Sequence, residues 1–313
     1  MARFSIGTSI GEGFGLIGRR PFAVLAWGLL MAAPMFAAFG LMLPAMGEML
    51  ASMPDPDTVE AAQPAFSGAM YTHMMQFQMA SMLANLVQYV GMAVVYTAIF
   101  RAILRPAERS FFSMRLGMDE LRVAVAGLAI GIGITFVMVI GMVLCVTLGF
   151  ALWSQGEALA IGVCVVVGLV IVLAMLWALA RLSLIAPASV LYRDFAFAQG
   201  WKLAAGKGWP LLGMHLLIGL MIFLIYLVVM ILVALAAGGL IAATGSALEG
   251  LDQTASPFEG VSGWMAVNWP WLAVGGLVLS WVYGAFLTVM VAPFASACRQ
   301  LAAGSAPATE DNH

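Results

Sequence analysis

"GFGLIGRRPFAVLAWGLL", residues 13–30, carries two familiar patterns at once. Gly13, Gly15 and Gly18 spell the dinucleotide fingerprint G-x-G-x-x-G. Arg19, Arg20 and Phe22 spell the R-R-x-F core of a twin-arginine export signal. The fingerprint cradles a pyrophosphate only between a strand and a helix, with an acidic residue about 20 positions further on. No buried strand precedes Gly13 and a long apolar run follows it, so no dinucleotide cofactor is expected. A cleavable signal is a short, moderately apolar segment that ends in a small-x-small site. Residues 22–46 are too long and too apolar for that, and read as a first membrane anchor.

The rest of the chain extends this reading. Of 313 residues, 63% are hydrophobic and 9% charged, with a mean hydropathy of +1.03. A water-soluble domain carries roughly a quarter of its residues charged, so this surface faces lipid. Uncharged intervals run 21–47, 61–100, 123–156, 158–180, 208–248 and 260–298. Each holds the roughly 20 helical residues that cross about 30 Å of hydrocarbon. The expected fold is an all-α membrane protein, one domain over residues 1–300 with spans at 22–46, 74–100, 123–151, 158–184, 211–242 and 269–297. Residues 301–313 read as a disordered cytoplasmic tail. The fifth interval suits either one tilted helix or a helix broken at Gly238-Gly239, and both readings stay open.

Charge sets the orientation. With six spans and an inner N-terminus, all thirteen lysines and arginines fall on inner segments. The outer segments hold only acids: Glu48, Asp55, Asp57, Glu60, Glu157, Glu249, Asp252 and Glu259. Positive charge stays inside. The chain is therefore expected in a bacterial inner membrane with both termini cytoplasmic.

The opening stretch also matches another part of the chain. Residues 13–25, "GFGLIGRRPFAVL", align with 200–212, "GWKLAAGKGWPLL", pairing Gly13 with Gly200, Phe14 with Trp201, Leu16 with Leu203 and Arg20 with Lys207. Each reads as an amphipathic helix in the headgroup layer that turns into a span near a proline. "SFFSMRLGMDELRVAV", residues 110–125, is a looser third copy. The even-numbered spans leave through "RAILRP" (101–106), "LIAPAS" (184–189) and "MVAPFA" (290–295). The economical description is three transmembrane hairpins, each behind an inner interfacial helix, in a threefold internal pseudo-repeat.

With "RLSLIAPASVLYR" followed by "GWKLAAGKGWPLL", this pattern resembles uncharacterised six-span bacterial inner-membrane proteins. They include the membrane domain attached to some glycerophosphoryl diester phosphodiesterases. The catalytic barrel and its metal-binding residues have no counterpart in the sequence, so the resemblance implies an envelope role related to lipids and no phosphodiesterase activity.

Catalysis within a bilayer shows itself by ionisable residues in the spans, and here they are nearly absent. No nucleophile–base pair and no metal-binding motif emerges, so no catalytic or metal site and no cofactor is expected. The intramembrane polar candidates are Asn85, Gln88 and His215. Nine of the 23 methionines lie between Met42 and Met82, four of them (Met42, Met46, Met49, Met53) on one helical face, with His73 nearby. Thioethers and an imidazole suit Cu(I), but methionine at helical spacing is also ordinary filling, which is the expectation here. Cys145 and Cys164 lie nearly equidistant from the turn at 153–157 and read as two buried thiols, with a disulfide as the alternative. Arg20, Arg101, Arg105, Arg109, Lys202 and Lys207 are the candidate contacts to anionic lipid. The expected partners are membrane lipids and other membrane proteins, with no nucleic acid. The expected function is non-enzymatic organisation of lipids or partner proteins. The alternative is a transporter or channel subunit for a small, weakly charged or amphipathic solute.

Overall fold

The computed structural model describes residues 4–51, 68–108, 111–248 and 257–305, and every regular element among them is helical. Helix α1 (Ile6–Arg19) starts at Ser5, whose Oγ accepts from the Thr8 amide at 3.4 Å, as an N-cap does. Pro21 opens α2 (Pro21–Ala51), where its missing N–H leaves nothing unpaired. Helix α3 (Gly68–Leu104) stops just before Arg105-Pro106, because a proline disfavours helix in the residue ahead of it. Helices α4 (Met118–Trp153) and α5 (Glu157–Leu182) form a hairpin whose turn needs Gly156, at φ 148°. The short α6 (Ile185–Tyr192) and α7 (Phe197–Leu203) follow, then α8 (Gly208–Leu248) and α9 (Pro257–Ser305).

Six stretches among the described residues are long and apolar enough to cross a membrane: Pro21–Ala38, Met74–Leu104, Met118–Trp153, Glu157–Tyr192, Gly208–Leu235 and Val267–Gly304. The chain is a multi-pass, all-α membrane protein. Of the two readings left open for the fifth interval, the continuous helix holds: α8 runs unbroken through Gly238 and Gly239, as neighbouring alanines and leucines carry the helix across the pair. Two details differ from the sequence reading. Helix α9 continues to Ser305, so residues 301–305 are helical, and 306–313 lie outside the described residues. The third inner segment is no interfacial helix. It makes only a 3-10 turn at Phe111–Ser113, ended by left-handed backbone at Phe112 and Ser113 (φ 50° and 60°).

The chain forms two compact units. In the unit of residues 22–92 and 223–287, α2 crosses α9 with backbones in direct contact. A Cβ on Gly28 would overlap the Ser280 carbonyl oxygen, and one on Gly284 would overlap that of Val24. Only glycine fits either position, the usual route to close helix approach in a bilayer. Met31 of α2 covers Gly91 of α3 in the same unit.

In the unit of residues 1–21, 93–222 and 288–313, the three lead-in segments seat in a repeating way. Each rests on the exit of the preceding hairpin, and the first rests on the last. Gly200 of α7 lies against Ile185 of α6, where a Cβ would come within 2.7 Å of the Ile185 Cα. Gly13 of α1 lies against Val289 and Ala292 of α9. The start of α4 meets the end of α3 through ion pairs instead: Arg101 to Asp119 at 3.3 Å and to Glu120 at 2.6 Å. Buried Leu184, Ala188, Ala204, Leu211, Met214 and Cys298 fill the centre.

Candidate functional site

The ion-paired residues Arg101, Arg105, Asp119, Glu120 and Arg122 meet where α3 ends and α4 begins. Asp119 and Glu120 occupy the first turn of α4, where the helix dipole favours carboxylates. Asp119 is held by three guanidinium groups, those of Arg101 (3.3 Å), Arg105 (3.2 Å) and Arg122 (2.8 Å). Glu120 pairs with Arg101 at 2.6 Å, and both side chains are nearly inaccessible, at 7% and 6% exposed. Arg105 also donates to the Val190 carbonyl of α6, and Arg299 of α9 donates to the Ile103 carbonyl at 2.9 Å. Two exit segments thus donate an arginine to a carbonyl of another exit segment.

Above this buried layer lies a basin of about 480 Å³, lined by Arg101, Arg105, Glu108, Arg115, Gly117, Met118, Asp119 and Arg193. Arg193 caps α6 in left-handed backbone, φ 54°, and reaches Glu108, which also faces Arg105 at 3.6 Å. Arg115 is exposed and makes no ion pair with any described residue. Planar guanidinium groups in such number suit a carboxylate or phosphate, which they hold through paired N–H donors.

No family model, curated protein or solved structure matches the chain.

Arg101 and Arg105 come together in the cluster, where Arg101 is paired with the carboxylates of Asp119 and Glu120. Arg20 donates to Ser113 Oγ at 2.9 Å, which ties α1 to the segment ahead of α4. Arg109 lies outside the described residues. Lys202 and Lys207 are exposed on α7 and in the turn after it. Arg181 of α5 lies between the rings of Trp177 and Trp201, 5.1 and 4.1 Å from their centroids. His215 bonds the Leu211 carbonyl through Nδ1 at 2.9 Å and lies 4.6 Å from the Phe294 ring, a satisfied side chain. Asn85 and Gln88 belong to the other unit, where Asn85, Gln76 and Ser81 line an otherwise apolar cavity of about 820 Å³ between α2 and α3. Cys145 and Cys164 face each other across the α4–α5 hairpin as free thiols. Met42, Met46, Met49, Met53, Met70 and His73 have side chains outside the described residues. Sequence reasoning missed Glu108, Asp119 and Glu120 as partners of Arg101 and Arg105, and Arg115 and Arg193 as further lining of the basin. The dense run of charges from 101 to 122 signalled all of these except Arg193.

Proposed function

We propose that this is a non-enzymatic integral protein of the bacterial inner membrane, both termini cytoplasmic, that organises anionic lipids or partner membrane proteins at its basic layer. The observation that carries the reading is the basin, whose lining holds four arginines and two carboxylates. A basic residue beside an anionic bilayer surface contributes about 1 kcal/mol of attraction, and the basin concentrates several. The resemblance to phosphodiesterase membrane domains supports an envelope role of this kind and carries no activity with it. Extraction of the protein with its surrounding lipid into polymer-bounded discs, followed by mass spectrometry of that lipid, tests the proposal. Anionic lipid should be enriched over the bulk membrane, and a composition equal to the bulk would sink it.

A second reading, a transporter or channel subunit for a small amphipathic solute, is favoured by the cavity of about 820 Å³ with Gln76, Ser81 and Asn85 on its wall. Flux across proteoliposomes that falls on Asn85→Leu would favour it.

A further inference from the structure

We infer that the basin between α3, α4 and α6 binds a phosphate-bearing anion, and that the Glu108 carboxylate is the resident anion which this phosphate displaces. The inference rests on the lipid reading above and names the chemistry of its site. Five guanidinium groups, Arg101, Arg105, Arg115, Arg122 and Arg193, stand here with three carboxylates, Glu108, Asp119 and Glu120. The cluster therefore carries an excess charge of two, close to the one to two negative charges of a phosphate ester, and its most exposed guanidinium groups, Arg115 and Arg193, stand at the mouth with Glu108.

Glu108 is also the acid free to leave. Its side chain is 36% exposed and that of Arg193 is 66% exposed, whereas Asp119 is locked among three arginines. A carboxylate that swings out to water gives up only solvent-screened ion pairs. The phosphate that replaces it gains paired N–H donors from Arg105 and Arg193, with Arg115 beside them. The basin's 480 Å³ falls within the range of small-ligand sites and admits a phosphate with a short ester arm. A phospholipid headgroup and a soluble phosphate share this chemistry.

The full chain in phosphatidylcholine nanodiscs tests the assignment, with phosphatidic acid doped into the disc in one arm and inorganic phosphate titrated in the other. Glu108→Gln removes the resident competitor and should tighten binding severalfold. Arg115→Gln with Arg193→Gln, both exposed, should weaken it about tenfold or more without lowering the melting temperature. Retention of phosphatidic acid alone identifies a headgroup site, and a matching response to inorganic phosphate identifies a soluble ligand; either supports the shared chemistry. Binding that is unchanged or weaker in Glu108→Gln overturns it. Enrichment of anionic lipid that ignores both variants would leave the lipid role standing and this site refuted.

Discussion

Arg101 is the residue on which the polar layer turns. It lies in the last turn of α3, its side chain 6% exposed, and it neutralises Glu120 at 2.6 Å while sharing Asp119 with Arg105 and Arg122. A buried pair of this kind adds little net stability over a well-packed apolar pair, but losing one partner strands the other charge. Arg101→Leu should therefore destabilise the protein by about 3–5 kcal/mol. Arg101→Leu combined with Glu120→Leu should recover most of that loss, because no unpaired charge is left behind. Melting curves in one detergent measure both, and a double variant no better than the single would refute the pairing. Asp119 keeps two other arginines in either variant, so the effect isolates Glu120.

At the scale of elements, the α4–α5 hairpin sets two thiols side by side. The Cys164 thiol donates to the Cys145 carbonyl at 3.2 Å, and the Cys145 thiol lies 3.9 Å from the Cys164 carbonyl. Small residues permit this closeness: Gly149 leaves room for the Cys164 sulfur, and Gly141 receives Ile171. Copper–phenanthroline should join the two cysteines within one chain, while buried Cys298 stays reduced. Alkylation after unfolding would then count one thiol instead of the three in the sequence. Three alkylated thiols after oxidant would show that the hairpin register is wrong. The lead-in helices obey the same logic of close approach. Gly13 and Gly200 align in sequence and both lie against an exit segment, whereas the start of α4 is held to the end of α3 by charge.

At the scale of the molecule, the proposed orientation rests on where lysine and arginine fall. Gln155 is exposed in the turn between α4 and α5, next to Glu157, and Gln199 is exposed on α7, among the basic segments. In a cysteine-free background, an impermeant maleimide applied to intact spheroplasts should label Gln155→Cys and spare Gln199→Cys until the membrane is opened. Labelling of Gln199→Cys on intact cells would invert the proposed orientation. Both positions are solvent-accessible, so a missing signal reports the membrane and not burial.

The spans were legible in the sequence because hydrocarbon accepts only apolar helical stretches free of charge, a condition on each stretch by itself. The uncharged run 123–156 became α4, and the run 158–180 became most of α5, within a few residues at each end. The sequence also showed that Gly13 and Gly200 hold equivalent places, since a local pattern can be aligned with itself. Which arginines are enclosed and which remain at the surface was not legible. Arg101 and Arg105 look alike in sequence, yet the first is paired with buried Glu120 and the second with Glu108, whose other partner, Arg193, lies 85 residues away. Such pairings exist only once α6 and the start of α4 have seated against the end of α3. The bilayer selects spans one at a time, but an ion-pair network is made by segments that meet only in the folded chain, and only the tertiary structure decided that meeting.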